Sequence, residues 1–286
     1  MMIGRVVASQ CGQYTVESTG NLFTLTPRGI FRKDNNRILV GDNVEFSSES
    51  MTIDKILTRK NHLVRPLVAN IDQLVIVSSL EEPLFSFELI FKYLTFANFN
   101  HIPAKIIITK TDINKDLSRI NEIKKVFSLI EIPVFFVSNK TGEGIESIKV
   151  LFKEKITALM GQSGVGKSSF INIVDPLFKR EIGEYSKALG RGKHKTKEVI
   201  LLPFGNGYIA DTPGFSSLEL NMTKQQLAEN FPGFTKLHLE CAYSNCLHLS
   251  EPNCAVKKSL ELGKIPSIVY DCYIKMSSEA LTFYRR

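Results

Sequence analysis

Gly161-Gln162-Ser163-Gly164-Val165-Gly166-Lys167-Ser168 constrains this chain more than any other segment, because it matches the phosphate-loop pattern G-x-x-x-x-G-K-[ST] in full. The apolar run Ile156–Met160 before it reads as a strand, and Ser169-Phe170-Ile171-Asn172-Ile173 after it begins a helix expected over 167–174. Strand, glycine loop and helix together specify an α/β fold. The glycines let backbone N–H groups turn inward around phosphate oxygens. Lys167 then reaches the β- and γ-phosphates, the Ser168 hydroxyl ligates Mg²⁺, and Ser169 stands beside them in the nucleotide-binding set.

Three further strings gain meaning from that loop. Asp211-Thr212-Pro213-Gly214 follows the apolar strand Tyr208-Ile209-Ala210. The Asp211 carboxylate at a strand end suits Mg²⁺, and the Gly214 N–H suits a γ-phosphate. Thr109-Lys110-Thr111-Asp112 follows the strand Lys105–Ile108, and Ser138-Asn139-Lys140 follows Val134–Val137. Asp112 there accepts from both N1–H and N2–H₂ of guanine, a pairing adenine does not offer. The Lys110 stem packs on the base face, and the second string places a backbone N–H at guanine O6. The order is unusual: guanine-reading strings come first, then the phosphate loop, then the sensor. An ordinary GTPase runs phosphate loop, sensor, guanine strings, so this order implies a circular permutation.

Upstream, the pattern is different. Arg5–Ala8, Gln13–Glu17, Leu22–Leu25, Asn43–Phe46 and Ile53–Ile56 are short alternating runs with Gly12, Gly20, Gly29 and Gly41 between them. About five strands in this length predict an OB-like β-barrel over 1–65, for which an SH3-like barrel is the near alternative. From about residue 70, apolar strands alternate with helices expected over 86–98 and 116–130, as a doubly wound sheet requires. The last segment, 217–286, reads as helical, with periodic apolar positions at Leu260, Ile265, Ile268, Val269 and Ile274. Fold class is thus multi-domain α/β: the barrel, a circularly permuted P-loop GTPase domain over 66–216, and a helical zinc-binding domain over 217–286.

Zinc enters through Cys241-x₄-Cys246-x-His248-x₅-Cys254, three soft thiolates and an imidazole suited to one closed tetrahedral structural Zn²⁺. The bland alternative is a set of reduced cysteines in a helical core, the class expected of Cys272 and Cys11. His238 and His62 have no matching partners and read as surface or core histidines.

These features together resemble the circularly permuted, small-ribosomal-subunit-dependent GTPases of the RsgA/YjeQ family. The likeness runs over essentially the whole chain: the barrel, the permuted order, Gly190-Arg191-Gly192-Lys193-His194 ahead of a threonine, Asp211-Thr212-Pro213-Gly214-Phe215 and the cysteine cluster. It implies hydrolysis of GTP to GDP, stimulated by the small ribosomal subunit, in late maturation of that subunit. Two departures stand out. Thr109 replaces the usual Asn of Asn-Lys-x-Asp, and a hydroxyl makes only some of an amide's hydrogen bonds. The usual run of threonines reads Lys195-Thr196-Lys197, which makes Thr196 the expected Mg²⁺ and γ-phosphate ligand.

Catalysis looks incomplete in isolation. Phe215 occupies the place where a water-orienting Gln is often found, and Phe neither donates nor accepts. His194, two residues before Thr196, is the local substitute, with a solvated loop histidine as its alternative. The chain carries 36 Lys+Arg against 29 Asp+Glu, and the excess concentrates at 179–197, where seven basic residues face only Glu181 and Glu184. Such a loop, ordered by GTP, suits rRNA as its partner. With no charged leader, no apolar stretch near the roughly 20 residues a membrane helix needs and nothing that asks for a dimer, the expectation is a cytoplasmic monomer. Rival readings are an ATP-dependent P-loop protein, which Thr109 slightly favours, and an RNA-binding assembly factor with a vestigial nucleotide site.

Overall fold

The computed structural model describes residues 1–29, 31, 37–64, 66–113, 117–174, 199–211, 218 and 220–280. The chain divides into two compact units. One comprises Met1–Val75, Gly144–Leu159 and Lys167–Ser216, the other Ile76–Glu143, Met160–Gly166 and Ser217–Arg286.

In the first unit, β1 (Met2–Gln10), β2 (Gln13–Ser18), β3 (Asn21–Pro27), β4 (Asn43–Ser47) and β5 (Thr52–Ile56) form a closed ring in the order β1-β2-β3-β5-β4-β1. Only β3–β5 is parallel, which is the five-stranded OB connectivity expected from the spacing of the runs. Alternation does the sorting: Val44 and Phe46 are fully buried while Asn43, Glu45 and Ser47 between them are not. Val6, Val16, Leu25, Val44, Phe46 and Ile53 fill the interior. Gly4 is required by packing, since a Cβ there would lie 2.5 Å from Val16 Cγ1 and 2.7 Å from the Glu17 carbonyl. Cys11, expected in a core, is exposed in the turn joining β1 to β2 with φ 49°, because a two-residue turn leaves its side chain nothing to pack on.

The sequence reading overlooked a short hairpin of β6 (His62–Val64) and β7 (Leu67–Ala69). Gly41, φ 95°, is pinned against it, since a Cβ would meet the Ala69 carbonyl at 2.0 Å. Beside it, the Asp42 carboxylate is wholly buried but paired, accepting from Arg59 Nε at 2.7 Å, Arg59 Nη2 at 2.8 Å and Leu39 N–H at 2.7 Å. β1 also extends outward: Ala8 pairs with Ile200 of β12 (Ile200–Phe204), which forms a hairpin with β13 (Gly207–Asp211). β13 in turn lies parallel to β11 (Ile156–Met160). The strand β12 was also overlooked. Its Pro203 is a residue rarely found inside strands, and pairing with β1 and β13 overrides that local signal.

The second unit holds most of β8 (Gln73–Ser79), then β9 (Ala104–Thr109) and β10 (Val134–Phe136), ordered β10-β9-β8. β9 and β10 run parallel, as continuous apolar strands between helices predict. The helices α1 (Phe87–Phe99) and α2 (Leu117–Leu129) fall where the periodicity puts them, and Ser86 caps α1 by accepting from Leu89 N–H at 3.3 Å. Later in the chain come α3 (Ile145–Lys149), also unanticipated, and α4 (Lys167–Val174), both in the first unit, then α5 (Lys224–Asn230), α6 (Thr235–His238), α7 (Ala255–Glu261) and α8 (Ser267–Glu279), in the second. The buried face of α8 is Val269, Cys272, Tyr273 and Met276. Ile274, expected to be on it, is 40% exposed, because the helix turns 100° per residue and Cys272 and Tyr273 already fill that face. Cys272 is in the core, as anticipated. An aromatic stack of Phe87, Phe91, Phe127, Phe231, Phe234 and Tyr273 packs α1 and α2 against this C-terminal segment. Ion pairs Glu131–Lys236 and Glu88–Lys275 border it. Among the described residues, no helix is long and apolar enough to cross a membrane.

Candidate functional site

The phosphate loop begins where β11 ends. Gly161 has φ 145°, and a Cβ on it would lie 2.1 Å from the Val77 carbonyl of β8. Gly164 and Gly166 have φ 82° and 88°, the left-handed conformation that turns successive N–H groups to one side. Val165 is the loop's one buried side chain, anchoring it from below, while Gln162, Ser163 and Gly164 face solvent. Lys167 and Ser168 open α4, with Ser168 and Ser169 exposed. Burial holds the Lys167 ammonium below the usual lysine value. Asp211 is the last residue of β13.

Within the second unit, the two guanine-reading strings are brought onto this loop. Thr109 ends β9 fully buried, and its hydroxyl lies 2.7 Å from the Val165 carbonyl and 3.1 Å from that of Ser78. Lys110 takes a left-handed φ of 60°, which swings its amine onto the Glu82 carbonyl. The Thr111 N–H donates to the Val137 carbonyl at 3.4 Å. Asp112 Oδ1 accepts from the Ser138 hydroxyl at 2.6 Å, and that hydrogen bond, with Lys140 nearby, holds its carboxyl below the usual range. Ser138 Oγ in turn accepts from the N–H groups of Lys140, at 3.2 Å, and Thr141, at 3.1 Å, so one buried hydroxyl fixes both strings. Asn139 Nδ2 approaches the Gly166 carbonyl at 3.4 Å. Thr109, Lys110, Asp112, Ser138, Asn139 and Gly161–Gly166 are thus assembled in one place. His194, Thr196, Gly214, Phe215 and the basic stretch 179–197 lie outside the described residues.

The second cluster is equally compact. One ligand atom from each of Cys241, Cys246, His248 and Cys254 lies within 4.8 Å of every other. His248 Nδ1 is 3.4 Å from Cys254 Sγ and 3.6 Å from Cys241 Sγ, and the two sulfurs are 4.0 Å apart. Those spacings match the edges of a tetrahedron with metal–sulfur bonds of about 2.3 Å, so the donor set fits zinc. Burial pushes the Cys246 thiol up to about 12 and the His248 imidazole down to about 4, a penalty on charge that a dication at the centre would reverse for the thiols.

His238, expected from its spacing to have no partner, has two: its Nδ1 lies 3.3 Å from His248 Nε2, and its Nε2 lies 3.1 Å from the Ser244 carbonyl. Tautomers follow from that chain. With His248 Nδ1 facing the sulfurs, His248 Nε2–H donates to His238, and His238 Nε2–H donates to Ser244. The only sequence sign of this role is a histidine three residues before the first cysteine, on the helical turn α6. His62, for which surface and core were both open, is exposed.

Comparison with known proteins agrees with this architecture. The RsgA GTPase family model matches residues 55–221, and the RsgA N-terminal domain model matches residues 3–53. The chain is 42% identical, over 99% of its length and 98% of the relative's, to the small ribosomal subunit biogenesis GTPase RsgA 2 of Oceanobacillus iheyensis. It is 40% identical to its counterpart in Staphylococcus aureus, over 98% and 97% of the two chains. The crystal structure of YjeQ from Thermotoga maritima superimposes with a TM-score of 0.83 at 36% identity, covering 97% of this chain and 98% of that one. YloQ, described as a circularly permuted GTPase, superimposes with a TM-score of 0.80 at 33% identity, covering 98% and 94%. With its barrel, its permuted phosphate-loop domain and its cysteine–histidine cluster, the chain belongs to the RsgA GTPase family.

Proposed function

We propose that this chain hydrolyses GTP to GDP and phosphate, stimulated by the small ribosomal subunit, in the late maturation of that subunit. The observation that carries the reading is the Thr109 hydroxyl on the Val165 carbonyl, which joins a guanine-reading strand end to the phosphate loop. Relatives named as small ribosomal subunit biogenesis GTPases over the full length of the chain supply the partner.

In this reading Asp112 accepts from guanine N1–H and N2–H₂, the Lys110 stem covers the base, and the Asn139 backbone N–H meets O6. The N–H groups of residues 161–166 cradle the phosphates, and Lys167 meets the β- and γ-oxygens, where an anion lifts the cost of burying its ammonium. Ser168, Thr196 and Asp211 would hold Mg²⁺, which neutralises charge developing on the phosphates when bound. His194 orients the attacking water, and Gly214 contacts the γ-phosphate. Cys241, Cys246, His248 and Cys254 would hold one structural Zn²⁺. That set leaves no open ligand position, so the zinc stabilises the fold and takes no part in hydrolysis.

The domains divide as a barrel over 1–65, a GTPase domain over 66–216 and a zinc domain over 217–286. The barrel and the basic stretch 179–197 contact rRNA, and the protein works as a cytoplasmic monomer away from membranes. GTP and ATP turnover by the purified protein, with and without purified small subunits, tests the proposal. GTP-selective hydrolysis that rises steeply with the subunit is expected. Hydrolysis indifferent to the subunit would remove the ribosomal partner, and preference for ATP would remove the guanine assignment.

A further inference from the structure

Thr109 faces two carbonyls with one hydroxyl proton. Val165 O is nearer, at 2.7 Å, than Ser78 O, at 3.1 Å, so the phosphate loop receives the stronger bond. An amide side chain would carry a second N–H, and a threonine has none to give. The very next carbonyl of the loop, that of Gly166, is met from the other guanine-reading string by Asn139 Nδ2 at 3.4 Å. Glycine at 166 permits that approach, since a Cβ there would lie 3.0 Å from Asn139 Nδ2 and 3.9 Å from Thr109 Oγ1. The two side chains therefore converge on one turn of the loop, Thr109 from the end of β9 and Asn139 from the turn that follows β10, and hold consecutive carbonyls. Asn139 Oδ1 is buried without a hydrogen-bond partner among the described residues. An amide held with its oxygen unsatisfied is one whose orientation is set by its N–H side.

We infer that Asn139 is a positioning residue for the nucleotide: its amide supplies the second N–H that Thr109 lacks, and the pair braces the phosphate loop against the base-reading loops. The consequence is kinetic. With the brace intact, base and phosphates are gripped by one rigid frame, and loss of either half lets the frame open and the nucleotide leave. The inference rests on GTP occupying this loop.

The test is the dissociation rate of a fluorescent guanine nucleotide (mant-GDP) from the full-length protein, in wild type, Asn139→Ala, and Asn139→Ala combined with Thr109→Asn. Asn139→Ala is expected to speed release about tenfold, the size of one lost hydrogen bond. Thr109→Asn in the same background returns the amide to the facing strand end, and release slows again by most of that factor. The unfolding midpoint of the nucleotide-free protein, measured alongside, stays within about 2 °C of wild type. Release unchanged in Asn139→Ala would overturn the inference. So would faster release that Thr109→Asn leaves uncorrected while the midpoint falls, because that describes a packing role alone. Should Asn139→Ala fail to fold, Asn139→Ser takes its place with the same readout, as its hydroxyl is too short to reach Gly166. No binding by the wild type would instead sink the guanine-nucleotide reading itself, and this inference with it.

Discussion

Ser138 donates its hydroxyl to Asp112 Oδ1 at 2.6 Å, joining two strings that lie 26 residues apart in the chain. The bond leaves Oδ2 and the remaining lone pairs of Oδ1 for a ligand, and it fixes the plane in which they point. A carboxylate so held is complementary to the two adjacent N–H donors of guanine. Replacing Asp112 by Asn turns one acceptor into a donor, which opposes guanine N–H but suits the C2 carbonyl of xanthine. Asp112→Asn is therefore expected to weaken GTP binding by about 10- to 100-fold and to strengthen XTP binding. Competition of both nucleotides against a fluorescent probe measures it, and unchanged preference would remove Asp112 from base reading.

The same pair makes a pH prediction. The Ser138 hydroxyl, followed by the nearby Lys140 charge, keeps the Asp112 carboxyl below its ordinary value. GTP binding needs the ionised form, so it persists as pH falls through the usual carboxylate range and is lost only below it. Ser138→Ala removes the main cause of the depression. The acid limb of GTP affinity then moves to higher pH, toward the value of an ordinary aspartate, whereas a limb that stays in place would show that the hydroxyl does not tune the carboxylate.

Much of this was legible because strong local signals coincide with the fold. The five barrel strands alternate with period two, and in β4 the buried Val44 and Phe46 mark the face that points inward. The phosphate loop is read from the sequence because glycine at positive φ is a backbone requirement, as Gly161, Gly164 and Gly166 show. Long-range pairing was less legible. Pro203 disguised β12, and the hairpin β6–β7 is too short, at three residues a strand, to carry periodicity. The partnership of His238 and the side-chain contact of Asn139, a residue already placed in a guanine-reading string, were not legible for a different reason. Their roles depend on which residue faces them across space, His248 and Gly166, and spacing along the chain says nothing of that.

The phosphate-loop glycines differ in what a side chain would meet, and this separates two substitutions. At Gly161 a Cβ would sit 2.1 Å from the backbone oxygen of Val77, which has no room to move within a buried strand. At Gly164 the nearest heavy atom is Pro83 Cδ at 3.9 Å, so only the positive φ opposes an alanine. Gly161→Ala is expected to lose about 3 kcal/mol of stability or more, and Gly164→Ala about 1 kcal/mol. Chemical denaturation in the absence of nucleotide compares them, and equal losses would contradict the close contact with β8.

The zinc cluster carries the last prediction. Its four ligands lie in the same packed unit as α1 and α2, and Phe234 stacks edge-on against His248 with ring centres 5.5 Å apart. Removing a zinc ion held there would therefore disturb an aromatic core as well as a loop. Elemental analysis is expected to give one equivalent of zinc for the wild type and none for Cys254→Ser, with an unfolding midpoint about 10 °C lower in the variant. His238→Ala tests the tautomer chain separately. The four ligands remain, but His248 Nε2–H loses its acceptor, and zinc affinity measured by competition with a chelator falls about 10- to 100-fold. His238→Gln offers a side-chain carbonyl in the same region and recovers part of that loss. If His238→Ala instead retains wild-type zinc affinity, the contact between the two rings is packing, and the orientation of His248 is fixed by Phe234 and Tyr273 around it.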